Sequence, residues 1–178
     1  MRTLAASVLL LSGCSVVDSP YPPGWEPLAA SAASDCRRFQ GAYADRGEAP
    51  GQSARPSFTR ELFGPDSPWE KAGSIRFDFA AEDALDVTLA GEGLNPVVRR
   101  FSAKAGEFRC DRGRLELRTR RWVASDLMSG RETVKIDLLE ADPFLVTHVH
   151  ESMTGVMFLV VPLSGESARW LRFPRLRP

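Results

Sequence analysis

The feature that most constrains this chain is an alternation of apolar and polar residues that begins near residue 74. The segments 75–79 and 85–89 carry Ile, Phe, Leu or Val at every second position, with mostly polar residues between them. Successive side chains of a β-strand point to opposite faces, so the pattern predicts strands with one buried and one wet face. Strands of this kind are typical of antiparallel sheets.

The pattern continues to the end of the chain as short segments separated by turn signals. Further candidate strands are 97–103, 107–110, 114–123, 133–140, 144–151, 156–162 and 168–173. Thr154-Gly155 and Ser164-Gly165-Glu166 are among the turn signals between them. Short strands at this spacing predict a mainly all-β fold, an antiparallel meander of eight or nine strands. Such a meander forms either a closed barrel or a strongly curved sheet.

One short helix is predicted before the strands, from Ser57 to Phe63. Ser57 is a suitable N-cap, Phe58 and Leu62 lie four residues apart on one face, and Gly64 follows the last turn.

The first residues have the layout of a secretory signal. Arg2 precedes an apolar run from Leu4 to Leu11, which at about eight residues is far shorter than the roughly 20 needed to span a bilayer. The run ends in Leu11-Ser12-Gly13-Cys14, which resembles the lipobox of bacterial lipoproteins. The resemblance implies that residues 1–13 are removed and that Cys14 carries lipid. Ser15 follows the cysteine, which implies an outer-membrane location facing the periplasm.

The predicted mature chain has two parts. Residues 14–34 are rich in Ser, Pro, Ala and Gly, and this composition is typical of a flexible tether. Residues 35–178 form one β-rich domain, a length that buries an adequate core. Cys36 and the tripeptide Gly41-Ala42-Tyr43 open this domain, and the arrangement resembles small lipocalin-like envelope lipoproteins. That resemblance implies a barrel closed at one end by the Gly-x-Tyr element, although the later Thr-Asp-Tyr-type element of true lipocalins is missing.

With Cys14 assigned to lipid, the other two of the three cysteines are Cys36 and Cys110. Exported proteins occupy compartments that permit disulfides, so this pair is predicted to be bonded. The alternative is a pair of free thiols that bind metal or act as nucleophile, but no Cys-x-x-Cys spacing supports it.

The charge distribution limits the class of partner. Basic and acidic residues number 23 each, and removal of Arg2 with the leader leaves a net charge of −1, which gives no reason to expect nucleic acid. The densest basic stretch is 109–121, and on one strand Arg114, Arg118 and Arg120 share a face. They are candidate anion-binding residues for phosphate or sulfate groups, such as lipid head groups. The alternative is a solvated strand face whose charges pair with Glu132 or Asp137.

His148 and His150 are the only histidines and would point to one face of a strand. Zinc and copper sites use this spacing but need a third ligand, for which Asp137, Glu140 and Asp142 are candidates. Imidazoles paired with carboxylates or arginines account for the pattern more simply, so neither a metal nor a cofactor is predicted. No Gly-x-Ser-x-Gly elbow occurs, and a proline three residues after Gly93 excludes a dinucleotide-binding loop.

The sequence therefore predicts a non-enzymatic, lipid-anchored envelope protein. Its membrane contact is the N-terminal lipid, and its β-domain binds an envelope protein, a lipid, or a small apolar or anionic ligand. The alternative function is a metal-assisted hydrolase centred on His148 and His150.

Overall fold

The computed structural model describes residues 19–29, 35–65, 67–69, 71–125, 127–157 and 161–177. A short 3-10 helix, Cys36–Phe39, opens the domain, and α1 spans Phe58–Phe63. The strands are β1 (Gly41–Ala44), β2 (Ser74–Ala81), β3 (Ala84–Gly91), β4 (Leu94–Ser102), β5 (Phe108–Asp111), β6 (Arg114–Ala124), β7 (Met128–Ala141), β8 (Phe144–Met157) and β9 (Val161–Pro174). Cys14 and its predicted lipidation lie outside the described residues.

The predicted antiparallel meander of eight or nine strands is confirmed, with nine strands among the described residues. The strands form a four-stranded sheet in the order β1-β2-β3-β4 and a five-stranded sheet in the order β5-β6-β7-β8-β9. A single bridge between Tyr43 and Arg175 links β1 to the end of β9. No strand pairing joins β4 to β5 in the described part of the chain, so the two sheets do not close into a barrel.

Three details of the predicted strand pattern are wrong. Gly41–Ala44 forms a strand of its own, whereas 156–162 is not one strand: residues 156–157 end β8 and residues 161–162 begin β9. The predicted turns at Gly155 and at Ser164-Gly165-Glu166 lie inside β8 and β9. A Cβ atom on Gly155 would come within 2.7 Å of the Cα of Gly130. Glycine is needed there for close approach of two strands rather than for a turn. Val156 and Val161, which lie at this end of the two strands, are exposed at 36% and 45%.

Both sheets and the helix contribute to one core. Phe58 on α1 contacts Phe77 on β2 and Phe173 on β9, with ring centroids 5.7 Å and 5.1 Å away. Alternate residues of the strands, such as Val87 and Ile136, are fully buried between the sheets. The interior between the sheets is therefore filled by side chains from both of them.

The predicted helix is confirmed, and a buried carboxylate holds its start. Ser57 Oγ accepts a hydrogen bond from the Arg60 amide at 3.1 Å, and Gly64 ends the helix with a φ of 97°. Asp45 is fully buried and accepts hydrogen bonds from Ser57 Oγ and the Thr59 amide, both at 2.7 Å. The loop before the helix is thus fixed to its first turn.

Residues 19–29, which belong to the predicted tether, lie against the domain. Tyr21 packs edge-on against Trp170 at 5.1 Å, and Trp170 Nε1 donates a hydrogen bond to the Ser19 carbonyl at 2.7 Å. Glu26 pairs with Arg172 at 2.7 Å. No helix among the described residues is long and apolar enough to cross a membrane.

The predicted disulfide is confirmed. Cys36 and Cys110 are bonded, with Cα atoms 6.0 Å apart. The bond ties the 3-10 helix before β1 to β5, the edge strand of the other sheet.

Candidate ligand-binding face

The outer face of the five-stranded sheet carries the three candidate arginines, both histidines and Asp137. In the strand register, Arg118 on β6 lies opposite Lys135 on β7, and Lys135 lies opposite His150 on β8. Because cross-strand partners point to the same side of a sheet, these residues form one row. The basic stretch and the histidine pair, which are far apart in the sequence, therefore lie side by side.

The next row of this face runs through Glu116, Asp137, His148 and Trp170 on four consecutive strands. Asp137 is only 3% exposed. Its Oδ2 atom lies 3.6 Å from Arg114 Nη1, 3.6 Å from Lys135 Nζ and 3.9 Å from His150 Nε2. Its Oδ1 atom is buried and accepts no hydrogen bond from the described residues. Buried carboxylate oxygens are normally hydrogen-bonded, so this one is open to a further ligand.

The two imidazoles are held next to this carboxylate. Their ring centroids are 4.1 Å apart, and Trp170 stacks on His148 at 4.1 Å with an interplanar angle of 3°. One ligand atom each from Asp137, His148 and His150 lie within 4.8 Å of one another. Of the three carboxylates proposed as a third ligand, the structure brings Asp137 to the histidines. Glu140 instead pairs with Arg175 at 3.1 Å, and Asp142 lies exposed at the end of the strand.

The three candidate anion-binding arginines differ in their surroundings. The Arg114 side chain is 56% exposed and faces Asp137, whereas Arg118 Nη2 donates to Glu116 Oε1 at 2.8 Å. Arg120 is exposed and makes no ion pair with any described residue. Burial acts to raise the pKa of Glu116, but Lys135 and Arg118 outweigh it and hold this pKa below its ordinary value. Glu116 therefore stays ionised and neutralises part of the positive charge.

Three adjoining hollows, here named the basic groove, run along β5 and the free edge of β6. Their volumes are about 290, 280 and 440 Å³. The cationic residues that line them are Arg99, Arg109, Arg112, Arg114, Arg118, Arg120 and Lys135, and the acidic residues are Glu82, Glu107, Asp111 and Glu116. Among the described residues, the groove thus has seven cationic side chains against four acidic ones. A groove of this composition attracts anions.

A second polar cluster, on the inner face, was not found from the sequence. Arg169 on β9 pairs with Glu151 on β8 at 2.7 Å and with Glu61 on α1. Burial raises the pKa of Glu61, although Arg169 opposes the shift, whereas the hydrogen bond from Arg169 lowers the pKa of Glu151. These ion pairs tie the helix to the sheet. The signal in the sequence was the charge at inward positions such as Arg169, where the alternation predicts an apolar residue.

An apolar groove of about 840 Å³ lies near this cluster. Phe63 and Trp69, which contact each other, line it together with Trp122, Met128 and Met153. Arg121 and Glu132 also line it and form an ion pair. Arg121 and Glu132 neutralise each other, so the described lining of this groove favours apolar contact rather than binding of an anion.

Comparisons of the chain with protein-family models, curated proteins and solved structures found no match.

Proposed function

We propose that this protein is a non-enzymatic, lipid-anchored protein of the bacterial cell envelope whose β-domain binds anionic lipid head groups through the basic groove. The observation that carries the proposal is the excess of cationic over acidic side chains in that groove. Arg120 contributes most directly, because its guanidinium is exposed and has no acidic partner among the described residues. Arginine also forms two parallel hydrogen bonds to a phosphate group, which lysine does not.

A lipid anchor at Cys14 is consistent with a position of this face near a membrane. Ser19 is hydrogen-bonded to Trp170 on the outer face of β9 and follows the predicted lipidated residue, Cys14, by five positions. Five residues span at most about 18 Å even when fully extended. The basic groove begins at β6, three strands from β9, which corresponds to about 14 Å across the sheet. A lipid on Cys14 would therefore hold the outer face within reach of the head groups.

The proposed partner follows from charge and distance together. A chain with a net charge near zero is not drawn to an anionic surface as a whole, but a local basic patch is. Each arginine near an anionic membrane contributes about 1 kcal/mol of binding. Loss of Arg114, Arg118 and Arg120 should therefore weaken binding by about 3 kcal/mol, which is on the order of 100-fold.

The test uses the full chain with Cys14→Ala, so that lipid insertion does not mask the head-group interaction. Co-sedimentation is measured with vesicles of phosphatidylcholine alone and with vesicles that contain phosphatidylglycerol. Binding should require phosphatidylglycerol, fall with added salt, and be weakened on the order of 100-fold in Arg114→Gln/Arg118→Gln/Arg120→Gln.

The matched control is Arg55→Gln/Arg60→Gln/Arg177→Gln, which removes the same charge from exposed positions outside the basic groove. Equal binding by the two triple variants would contradict the groove as the binding site. Equal binding to both kinds of vesicle would contradict head-group recognition altogether. Competition by soluble glycerol phosphate as strong as that by vesicles would assign the groove to a free phosphate compound instead.

A further inference from the structure

We infer that Asp137, His148 and His150 form a binding site for a late first-row divalent metal ion, Zn²⁺ or Cu²⁺. The proposal does not depend on the lipid anchor or on the basic groove. From the sequence alone, paired imidazoles were the simpler expectation. The geometry points instead to a metal because it adds a third ligand at a suitable distance.

The spacing of the ligand atoms is the first argument. One atom from each of the three side chains lies within 4.8 Å of the other two. Atoms bound to a common zinc ion at about 2.0–2.1 Å are separated by roughly 3.3–4 Å, so small side-chain movements complete the site. Two imidazoles and one carboxylate, with a further position open, make up a common set of zinc ligands.

The second argument is the state of the Asp137 carboxylate. The residue is 3% exposed, yet its Oδ1 atom accepts no hydrogen bond from the described residues. A buried carboxylate oxygen in this state is costly unless a cation or a water molecule occupies the space beside it. The two strands place His148 directly opposite this carboxylate.

Neighbouring cations lower the affinity without closing the site. Arg114 and Lys135 both lie 3.6 Å from Asp137 Oδ2, the other oxygen of the carboxylate. They repel a divalent ion but leave Oδ1 available. Lys135 also pairs with Glu116 at 3.3 Å, so its ammonium group retains a partner if the metal draws Asp137 away.

The imidazole of His148 is held in place before any metal arrives. Trp170 stacks on its ring in nearly parallel planes, and Trp170 is itself fixed by its hydrogen bond to Ser19. Fixed ligands lose little conformational entropy when they bind. Nitrogen ligands favour ions late in the first row, and affinity for such a site rises from Zn²⁺ to Cu²⁺.

The experiment is calorimetric titration of the full chain, freed of metal with a chelator, with ZnCl₂ and separately with CuCl₂. One equivalent of each ion should bind, and electron paramagnetic resonance of the Cu²⁺ form should show coupling to two nitrogen nuclei. His148→Ala/His150→Ala should abolish this signal. Asp137→Asn should weaken binding by on the order of tenfold or more, because even residues outside the ligand shell contribute about 10–100-fold to metal affinity.

Two further variants test whether these three residues, rather than another carboxylate or a change in folding, set the affinity. Asp78→Asn changes a carboxylate on the four-stranded sheet that is paired with Arg76, and it should leave metal affinity unchanged. Lys135→Met removes the competing cation and should tighten binding, a gain that does not arise from damaged folding. Absence of one-to-one binding by the unaltered chain, or binding that survives in the double histidine variant, would overturn the inference.

Discussion

Removal of the Cys36–Cys110 disulfide tests how the two sheets are held together. Cys36 precedes β1 in the four-stranded sheet, and Cys110 lies on β5, the edge strand of the five-stranded sheet. The sheets are joined by one bridge at β1 and β9, and the described residues show no pairing between β4 and β5. The disulfide therefore links the segment before β1 to β5, the edge strand that has no backbone pairing to the four-stranded sheet.

The size of the effect follows from the length of the closed loop. The two cysteines are 74 residues apart in the sequence. In the chain-entropy model a loop of this length reduces the entropy of the unfolded chain by an amount worth about 4.5 kcal/mol. Loss of the bond should thus lower the free energy of unfolding by about that much. For a domain of this size the corresponding decrease in melting temperature is about 10–18 °C.

The assay is denaturant unfolding of the Cys14→Ala chain, followed by circular dichroism. The double variant is Cys36→Ala/Cys110→Ser, because Cys36 is buried at 2% exposure and Cys110 is exposed. The single variant Cys110→Ser breaks the same bond, so its loss of stability should be close to that of the double variant. A loss below about 1 kcal/mol in the double variant, or a loss in Cys110→Ser far smaller than that of the double variant, would refute the loop-closure argument.

Three further predictions concern other parts of the molecule. Asp45→Ala should lower the free energy of unfolding by about 3 kcal/mol, because it leaves the buried Thr59 amide without its acceptor. The control Asp78→Ala, at a partly exposed position, should lower it far less. Similar losses in the two variants would contradict the role of Asp45 as a buried acceptor. The hydrogen bond from Arg169 lowers the pKa of Glu151, so the ionised carboxylate stabilises the fold at pH values above its ordinary pKa of 4.5. This contribution is lost as the pH falls through the lowered pKa of the folded state. Unfolding free energies measured from pH 3 to 6 should therefore depend less on pH in Glu151→Gln than in the unaltered chain, and parallel profiles would argue against the shift. Cys14→Ala should move the protein from the membrane pellet to the soluble fraction when cells are fractionated at high salt, which screens head-group binding, whereas unchanged pelleting at high salt would show that lipid does not hold it.

Local patterns in the sequence were enough to predict the elements but not all of their boundaries. Alternation in 75–79 and 85–89 predicted β2 and β3, and Ser57 with Gly64 predicted the limits of α1. The same reasoning failed at Gly155, because glycine serves both at turns and where two strands approach closely. Only the partner strand, with Gly130 opposite, distinguishes the two cases.

The candidate site was predicted in part for a similar reason. Strand periodicity placed Arg114, Arg118 and Arg120 on one face and His148 with His150 on one face, since that depends only on residues two apart. It could not show that both faces are the same surface, because strand order and register are set by contacts between distant residues. Asp137 was one of three equivalent carboxylates until the register placed it opposite His148.

The sequence by itself determined the antiparallel all-β class, the position of the helix and the pairing of the two cysteines, because each depends on local periodicity, capping or an elimination among few residues. The tertiary structure alone decided that the meander forms two sheets without closing, that residues 19–29 lie on Trp170, and that Asp137 is buried beside two imidazoles. These features depend on which strands pair, in what register, and on which side chains fill the space between the sheets. Such choices are made by packing across the whole domain, where residues more than a hundred positions apart come into contact, as Ser19 and Trp170 do.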